Sequence, residues 1–186
     1  MNNDPRALSL TFALRSGAEA TLRAIRPDDR DQLQAAFLAL EPESVYLRYF
    51  SYKRSLTEAD LDRLCNPDFE SRVVLVVTLQ QGGAKVIVGS GGYVRKPPVD
   101  HVVAAEVAFA VEEDVQRQGI AGRLLAALID IARAGGIARF DAEVLRRNAG
   151  MLRVFHESAL PQTTASERDG IVKVQIDLQA PAAPPG

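Results

Sequence analysis

Residues 111–123 of the chain read VEEDVQRQGIAGR, and they separate two stretches of different periodicity. Upstream, β-branched and small apolar residues predict a strand over residues 102–111. Downstream, apolar residues recur at helical spacing and predict a helix over residues 122–134. That apolar stripe consists of Leu124, Leu125, Leu128, Ile129 and Ala132. The intervening stretch is therefore a loop that leads from the end of a strand into the start of a helix.

This loop combines the features of a phosphate-binding site. The start of a helix leaves backbone N–H groups without partners and carries a partial positive charge. Little or no side chain covers the backbone at Gly119, Ala121 and Gly122, so a ligand can approach it closely. Positive charge comes from Arg117 and Arg123. The pattern therefore predicts a site for a phosphate or pyrophosphate.

Two common phosphate-binding motifs do not fit the loop. A Walker motif ends in Gly-Lys-Ser/Thr, which is absent here. A dinucleotide-binding fingerprint needs three glycines spaced GxGxxG, which Gly119 and Gly122 do not provide. The strand before the loop also belongs to a predicted antiparallel meander rather than to a parallel sheet.

The loop does resemble that of the GNAT superfamily of N-acetyltransferases, which is written Gln/Arg-x-x-Gly-x-Gly/Ala. The defined places are taken by Gln116, Gly119 and Ala121. The resemblance extends over roughly residues 20–178, and residues 25–29 (IRPDD) sharpen it. The chain looks most like the catalytic domain of bacterial protein-lysine acetyltransferases, which some bacteria fuse to cyclic-nucleotide-binding or CoA-ligase domains. No such second domain is expected in this chain.

The resemblance implies acetyl-CoA as the co-substrate. Its pantetheine arm is expected to pair with a strand that is splayed from its neighbour, at Phe109 and Val111. Its pyrophosphate is expected at the loop, which consists of Gln116, Arg117, Gln118, Gly119, Ile120, Ala121, Gly122 and Arg123. Asn148 is expected either to contact the pantetheine amides or to cap the helix that follows it, and the two roles are compatible. No metal is expected, because the two histidines and one cysteine lack metal-ligand spacing.

Glu106 is the candidate general base. Attack on a thioester needs a neutral amine, and neutralising a lysine at pH 7 costs about 4–5 kcal/mol. The lysine acetyltransferases that the chain resembles use a glutamate at this point. Glu106 shares a strand face with Ala108 and Ala110, so we expect burial among apolar residues to make it a better base. The alternative is a solvated glutamate without a catalytic role.

The acid that protonates the leaving thiolate is less well defined. Many GNAT enzymes have a tyrosine about seven residues after the position of Asn148, but here Phe155 stands there and His156 follows. A CoA thiolate can leave without an acid, since thiols are fairly acidic. His156 is a second option, although a lone histidine more often lies on the surface of such a helix.

The remaining patterns predict an α+β domain of three layers around one sheet. The resemblance implies the GNAT fold, which is a central, twisted, mixed and mostly antiparallel sheet flanked by helices, with an N-terminal hairpin. After the meander, the loop, the helix and a strand over residues 139–145 form a crossover. We expect a flexible N-terminus over residues 1–7, a single domain over residues 8–179 and a disordered tail over residues 180–186.

Composition limits the partners. A formal net charge of −2 disfavours general nucleic-acid binding, and no apolar run approaches the ~18 residues of a membrane helix. A single cysteine, Cys65, excludes an internal disulfide, fits the cytoplasm and is expected to serve packing. The expected partners are acetyl-CoA and an amine, either a protein lysine or a small molecule. The sequence leaves a homodimer open.

Two other functions compete with acetyl transfer. A catalytically weak acyl-CoA-binding or sensing module is the first, and the missing tyrosine supports it. A nucleotide phosphate site is the second, because the loop features suit any phosphate.

Overall fold

A computed structural model describes residues 4–49, 53–166 and 170–181. Within these ranges the strands form one sheet in the order β1-β2-β3-β4-β5-β6-β8-β7. Neighbouring strands are antiparallel except β5 and β6, which are parallel. The strands are β1 Ser9–Ala13, β2 Glu19–Ala24, β3 Arg72–Gln81, β4 Ala84–Arg95, β5 Ala104–Val111, β6 Arg139–Leu145, β7 Gln162–Ser166 and β8 Ile171–Asp177.

Helices cover both faces of the sheet, so the predicted three layers are confirmed. The first three helices pack on one face and contribute to a core with β3 and β4, whereas the last two pack on the other face over a larger core. Cys65 lies in the first of these cores and is buried, as expected of a packing residue. The helices are α1 Arg30–Ala39, α2 Pro42–Tyr49, α3 Glu58–Cys65, α4 Ile120–Ala134 and α5 Ala149–His156.

Helix α4 follows the predicted loop and fixes the crossover between β5 and β6. All five residues of its predicted apolar stripe are buried, which anchors the helix against the sheet. The helix begins at Ile120, two residues earlier than predicted, because Gly119 serves as its N-cap and Gly122 lies in its first turn.

Helix α2 has no clear signal in the sequence, where the pair Glu41-Pro42 resembles the end of the preceding helix rather than the start of another. Pro42 instead begins a second helix, since proline lacks an N–H and is tolerated in the first helical turn. The N–H of Val45 donates to the carbonyl of Glu41, and the Val45 side chain is buried. Tertiary burial of an otherwise polar segment therefore defines this helix.

The entrance to α1 is held by a buried ion pair. Residues Pro27–Asp29 form a 3₁₀ turn, and α1 begins only after it. Both terminal nitrogens of Arg23 donate to the carboxylate of Asp29, at 2.6 and 2.7 Å. Asp29 also accepts the Arg26 N–H at 2.8 Å, which closes the turn against β2.

The described part of the N-terminal segment contacts the rest of the domain. Pro5–Ala7, within the segment predicted to be flexible, form a 3₁₀ turn, and Arg6 donates to the carbonyl of Asp68 at 2.6 Å. Residues 1–3 and most of the predicted tail, residues 182–186, lie outside the described residues. No helix of the described ranges has the length and apolar character required to cross a membrane.

Candidate functional site

The start of α4 is an open helix N-terminus. Gly119 has φ of 91°, a left-handed conformation that strains any residue with a side chain. A Cβ atom built at Gly119 or at Gly122 would meet nothing within 4 Å, so solvent or a ligand has direct access to the backbone there. The helix ladder begins with the Arg123 N–H donating to the Gly119 carbonyl. The N–H groups of the first turn before Arg123 have no partner in the ladder and suit an anion.

The predicted loop residues divide into two groups by their contacts. The amide of Gln116 donates to the Val111 carbonyl at 3.1 Å and closes the loop on the strand. The side-chain oxygen of Gln118 accepts the Ser16 N–H at 2.9 Å. Ile120 is buried in the core, so only its backbone faces outward. These three side chains therefore shape the loop, while Gly119, Ala121 and Gly122 leave its backbone accessible.

The hairpin between β1 and β2 supports this loop, a role that the sequence did not predict. Arg15 donates to the carbonyl of Arg117 at 3.2 Å, and the guanidinium of Arg123 lies 5.6 Å from the centre of the Phe12 ring. A turn signal marks the hairpin in the sequence, but nothing in it indicates contact with residues 102 positions away.

Strands β5 and β6 diverge and leave a gap that we call the fork. Their register covers Ala104↔Arg139, Ala105↔Phe140 and Glu106↔Asp141, whereas β5 continues to Val111. β6 continues to Leu145 and pairs on its other side with β8. The predicted splayed strand is therefore present, and the fork opens directly after Glu106.

Backbone groups of β5 point into the fork. The Lys96 N–H donates to the Ala104 carbonyl, and the Glu112 N–H donates to the Val88 carbonyl. The even-numbered residues of β5 therefore form the backbone hydrogen bonds with β4. Because backbone direction alternates along a strand, the N–H and C=O groups of Val107, Phe109 and Val111 face the fork. The side chain of Phe109 itself lies in the core, over Gly91, where an added Cβ would come within 2.7 Å of the ring. Phe109 and Val111 can thus offer backbone rather than side-chain contacts.

Glu106 lies at the apex of the fork, but it is not buried. Its side chain is 58% exposed, so the expectation of burial among apolar residues is wrong. Helix α1, which lines this face of the sheet, packs against the neighbouring strand β4 rather than over this end of β5. Glu106 Oε2 lies 3.4 Å from the ammonium nitrogen of Lys96, which also lies 3.3 Å from Asp141 Oδ2.

A cavity of about 350 Å³ adjoins the fork on the face of α1. Its floor comes from β4 and from the face of β5 that carries Glu106, Ala108 and Ala110, so the predicted division of this strand into two faces is confirmed. Its apolar wall includes Phe37 and Leu40 of α1. A second carboxylate, Glu112, also lines it, and burial raises the pKa of Glu112, with Asp114 and Glu113 adding to the effect. The cavity thus combines an apolar wall with two acids.

Helix α2 lies across the fork and is tied to both arms. After β5, the carboxylate of Glu113 accepts the N–H of Glu41 at the start of α2, at 3.2 Å. After β6, Arg147 pairs with Glu43 at 3.1 Å and lies 5.3 Å from the centre of the Tyr46 ring. The helix therefore closes one side of the gap between the strands.

The family model described as "Acetyltransferase (GNAT) family" matches residues 34–159. The chain belongs to the GNAT acetyltransferase family. The predicted resemblance and the predicted GNAT fold are therefore confirmed. The chain is a GNAT-type acetyltransferase domain, and acetyl-CoA is the co-substrate of this family.

Individual relatives of this GNAT domain agree with the assignment. It is 30% identical to the acetyltransferase Pat of Mycolicibacterium smegmatis over 89% of the chain, but spans only 47% of that relative, about half its length. The GNAT domain of S. lividans PAT has a TM-score of 0.80 and 33% identity, covering 91% of this chain and 96% of that one. A Salmonella typhimurium acetyltransferase solved with acetyl-CoA shares the fold, with a TM-score of 0.65 and 21% identity over 89% of this chain and 98% of that one.

The last helix of the GNAT domain places the remaining predicted residues. Asn148 Oδ1 accepts the Met151 N–H at 3.1 Å, so its capping role is confirmed. Phe155 is buried and packs edge-on against Phe109, with ring centres 6.1 Å apart. His156 is exposed, and its Nδ1 lies 3.4 Å from the amide nitrogen of Gln162. The plainer expectation for His156, a surface position, is therefore confirmed.

Proposed function

We propose that the chain transfers the acetyl group of acetyl-CoA to the side-chain amine of a protein lysine by direct attack, with Glu106 as the base. The observation that carries this proposal is that three features meet at one place. They are the fork, the carboxylate of Glu106 and the rim of the acidic cavity. The fork lies between the open start of α4 and that carboxylate. The setting proposed for the reaction is the cytoplasm, and a homodimer stays a prediction.

Acetyl-CoA fits the site in two parts. Its pyrophosphate is proposed to bind the first-turn N–H groups of α4, where Gly119 and Gly122 leave the backbone open. Arg117 and Arg123 are exposed nearby and add positive charge. Its pantetheine amides are proposed to pair with the β5 backbone at Phe109 and with the N–H of Val111, because an extended chain can add to the exposed side of a strand. The Val111 carbonyl is not counted, since it accepts the Gln116 amide. Asn148 caps α5 at the end of the opposite arm and is proposed to contact the same amides.

The amine must lose a proton before it attacks. Neutralising a lysine at pH 7 costs about 4–5 kcal/mol, and a positioned base offsets part of that. Glu106 is partly exposed, which suits proton transfer either directly or through one water. The neutral nitrogen then attacks the carbonyl carbon, the C–S bond breaks, and the sulfur leaves with the electron pair.

The leaving group needs no acid from the protein in this proposal. Phe155 has no proton to donate, and its ring is buried against Phe109. A thiol has an ordinary pKa of about 8.5, so a thiolate is a competent leaving group close to neutral pH. The thiolate can then collect a proton from water.

Both parts of a lysine side chain, its aliphatic stem and its ammonium, suit the cavity beside the fork. Phe37 and Leu40 offer an apolar wall to its aliphatic stem, while Glu106 and Glu112 offer carboxylates to its ammonium. The likeness to the relatives named Pat, one of them described as an acetyltransferase, supports acetyl transfer.

The test is acetyl transfer from labelled acetyl-CoA to lysine peptides and, in parallel, to a panel of small amines. Glu106→Gln is expected to lower kcat by about 10²–10⁴-fold and to leave the Kd for acetyl-CoA unchanged. Asp130→Asn, which removes an exposed carboxylate from the outer face of α4, is the control and should retain full activity.

Three outcomes would contradict parts of this proposal. Full activity of Glu106→Gln removes the base assignment. Transfer to small amines but to no peptide identifies a small-molecule enzyme. Binding of acetyl-CoA without transfer to any amine favours the acyl-CoA sensor that the missing tyrosine suggests.

A further inference from the structure

The ammonium of one lysine, Lys96, lies beside the proposed base. Lys96 follows β4 directly, and its N–H donates to the Ala104 carbonyl at 2.8 Å, which fixes its backbone beside the start of β5. Its ammonium nitrogen lies 3.4 Å from Glu106 Oε2 and 3.3 Å from Asp141 Oδ2. Glu106 and Asp141 are the last register pair before the fork opens, so this ammonium lies at the apex of the fork.

The surroundings of Lys96 allow it to leave the ion pair. Its side chain is 40% exposed, so it is not locked in the core. Asp141 keeps other partners when the ammonium moves, because it also accepts from Arg139 at 2.8 Å and from Gln175 at 3.2 Å. Motion of Lys96 therefore leaves no carboxylate buried without a partner.

We propose that Lys96 is acetylated by its own domain, in cis, with acetyl-CoA as the donor. This inference rests on the proposed function, because it uses the same base and the same thioester. Glu106 accepts a proton from the Lys96 ammonium, and the neutral nitrogen attacks the carbonyl carbon of the acetyl group. The new C–N bond replaces the C–S bond. The products are the Lys96 amide, the CoA thiol and one proton released to solvent.

The other lysines are placed differently. The chain has four, at positions 53, 85, 96 and 173. Lys53 forms an ion pair with Asp60, and Lys173 lies 3.9 Å from Glu143. Lys85 is exposed in the β3–β4 hairpin, at the far end of β4 from the apex of the fork. Proximity to Glu106 therefore selects Lys96.

Acetylation changes the electrostatics of the fork. The ammonium becomes a neutral amide and can no longer form an ion pair with either carboxylate. Glu106 then lies beside Asp141 without the cation that lies between them in the unmodified chain. The modification therefore changes the electrostatic surroundings of the proposed base itself.

The test is intact-mass spectrometry of the full chain incubated with isotopically labelled acetyl-CoA alone, followed by peptide mapping. One label is expected, on Lys96, with a first-order rate constant that does not change with protein concentration. Lys85→Arg is the matched control and should acquire the same label at the same rate. Lys96→Arg keeps a cation beside Glu106 and Asp141 and should acquire none. Glu106→Gln should slow labelling by at least about 100-fold, as expected of a lost general base.

Several results would overturn the inference. Labelling of Lys96 at an unchanged rate in Glu106→Gln indicates uncatalysed acetylation, and a rate that rises with protein concentration indicates transfer between molecules. A lysine peptide included in a second incubation separates the two proposals. Acetylation of the peptide without label on Lys96 refutes self-acetylation alone, whereas acetylation of neither refutes the proposed function and the inference with it.

Discussion

Gly119 offers a sharp test of the proposed pyrophosphate site at the start of α4, because another glycine at the opposite end of the helix provides a matched control. Gly119 has φ of 91° and Gly136 has φ of 73°, and a Cβ at either position would meet nothing within 4 Å. Replacement of either by alanine therefore introduces backbone strain without a steric clash. A residue with a side chain in this conformation costs roughly 1–2 kcal/mol, so both variants should lose about that much free energy of unfolding.

Binding should separate the two variants. If Gly119→Ala relieves its strain by turning the loop, first-turn N–H groups move away from the pyrophosphate. Loss of one hydrogen bond to a charged group costs about 1.5–3 kcal/mol, which corresponds to a Kd for acetyl-CoA that is roughly 10- to 150-fold higher. Gly136→Ala changes the far end of the helix and should bind acetyl-CoA with the wild-type Kd.

Urea unfolding of the free domain and isothermal titration with acetyl-CoA measure the two quantities separately. The proposed pyrophosphate site at the start of α4 is refuted if both variants lose similar stability and both bind acetyl-CoA as tightly as the wild type. A Gly136→Ala variant that binds as poorly as Gly119→Ala would also contradict the reasoning, since strain anywhere along α4 would then suffice.

Three further predictions concern stability. Asp29→Asn breaks the buried pair with Arg23 and should cost about 3–5 kcal/mol in urea unfolding, whereas the apolar double variant Arg23→Met/Asp29→Leu should cost less; equal losses would contradict this. Asn148→Ala should lower the free energy of unfolding by about 1 kcal/mol, because α5 loses its cap, and Asn148→Ser should keep the cap and the stability. Both variants should bind acetyl-CoA more weakly, and full affinity in both would remove the proposed pantetheine contact. Burial raises the pKa of Glu112, so the folded chain binds more protons than the unfolded chain just above the ordinary glutamate pKa of ~4.3. The free energy of unfolding attributable to this group should fall as pH rises through that window, and the fall should be absent in Glu112→Gln; parallel pH profiles would refute it.

The elements predicted best are those whose signal is local. The helix after the loop is an example, because its apolar stripe follows from spacing alone and every member is buried. Helix α2 is the counterexample. Its first residue, Pro42, resembles a helix stop in sequence, and only the burial of Val45 against other elements shows that a helix begins there.

Site features that depend on local sequence were also predicted better than those that depend on tertiary packing. The loop that leads from β5 into α4 and the capping role of Asn148 depend on neighbouring residues, and both are present, although α4 begins at Ile120 and the loop is two residues shorter than predicted. The exposure of Glu106 depends on which helices cover β5, and alternation along a strand carries no information about that. The burial predicted for it was therefore wrong, although its strand face was right.

The sequence by itself determined the strand–loop–helix unit that begins at Val111, the face of β5 that carries Glu106, and the family that these features indicate. Backbone conformation and amphipathic spacing are set by residues close together in the chain, so these features can be read directly from it. Only the tertiary structure decided that the β1–β2 hairpin supports the loop, that the parting of β5 and β6 begins directly after Glu106, and that Lys96 lies between two carboxylates there. Such contacts join residues up to 102 positions apart, and they depend on the register and twist of the sheet rather than on any local pattern.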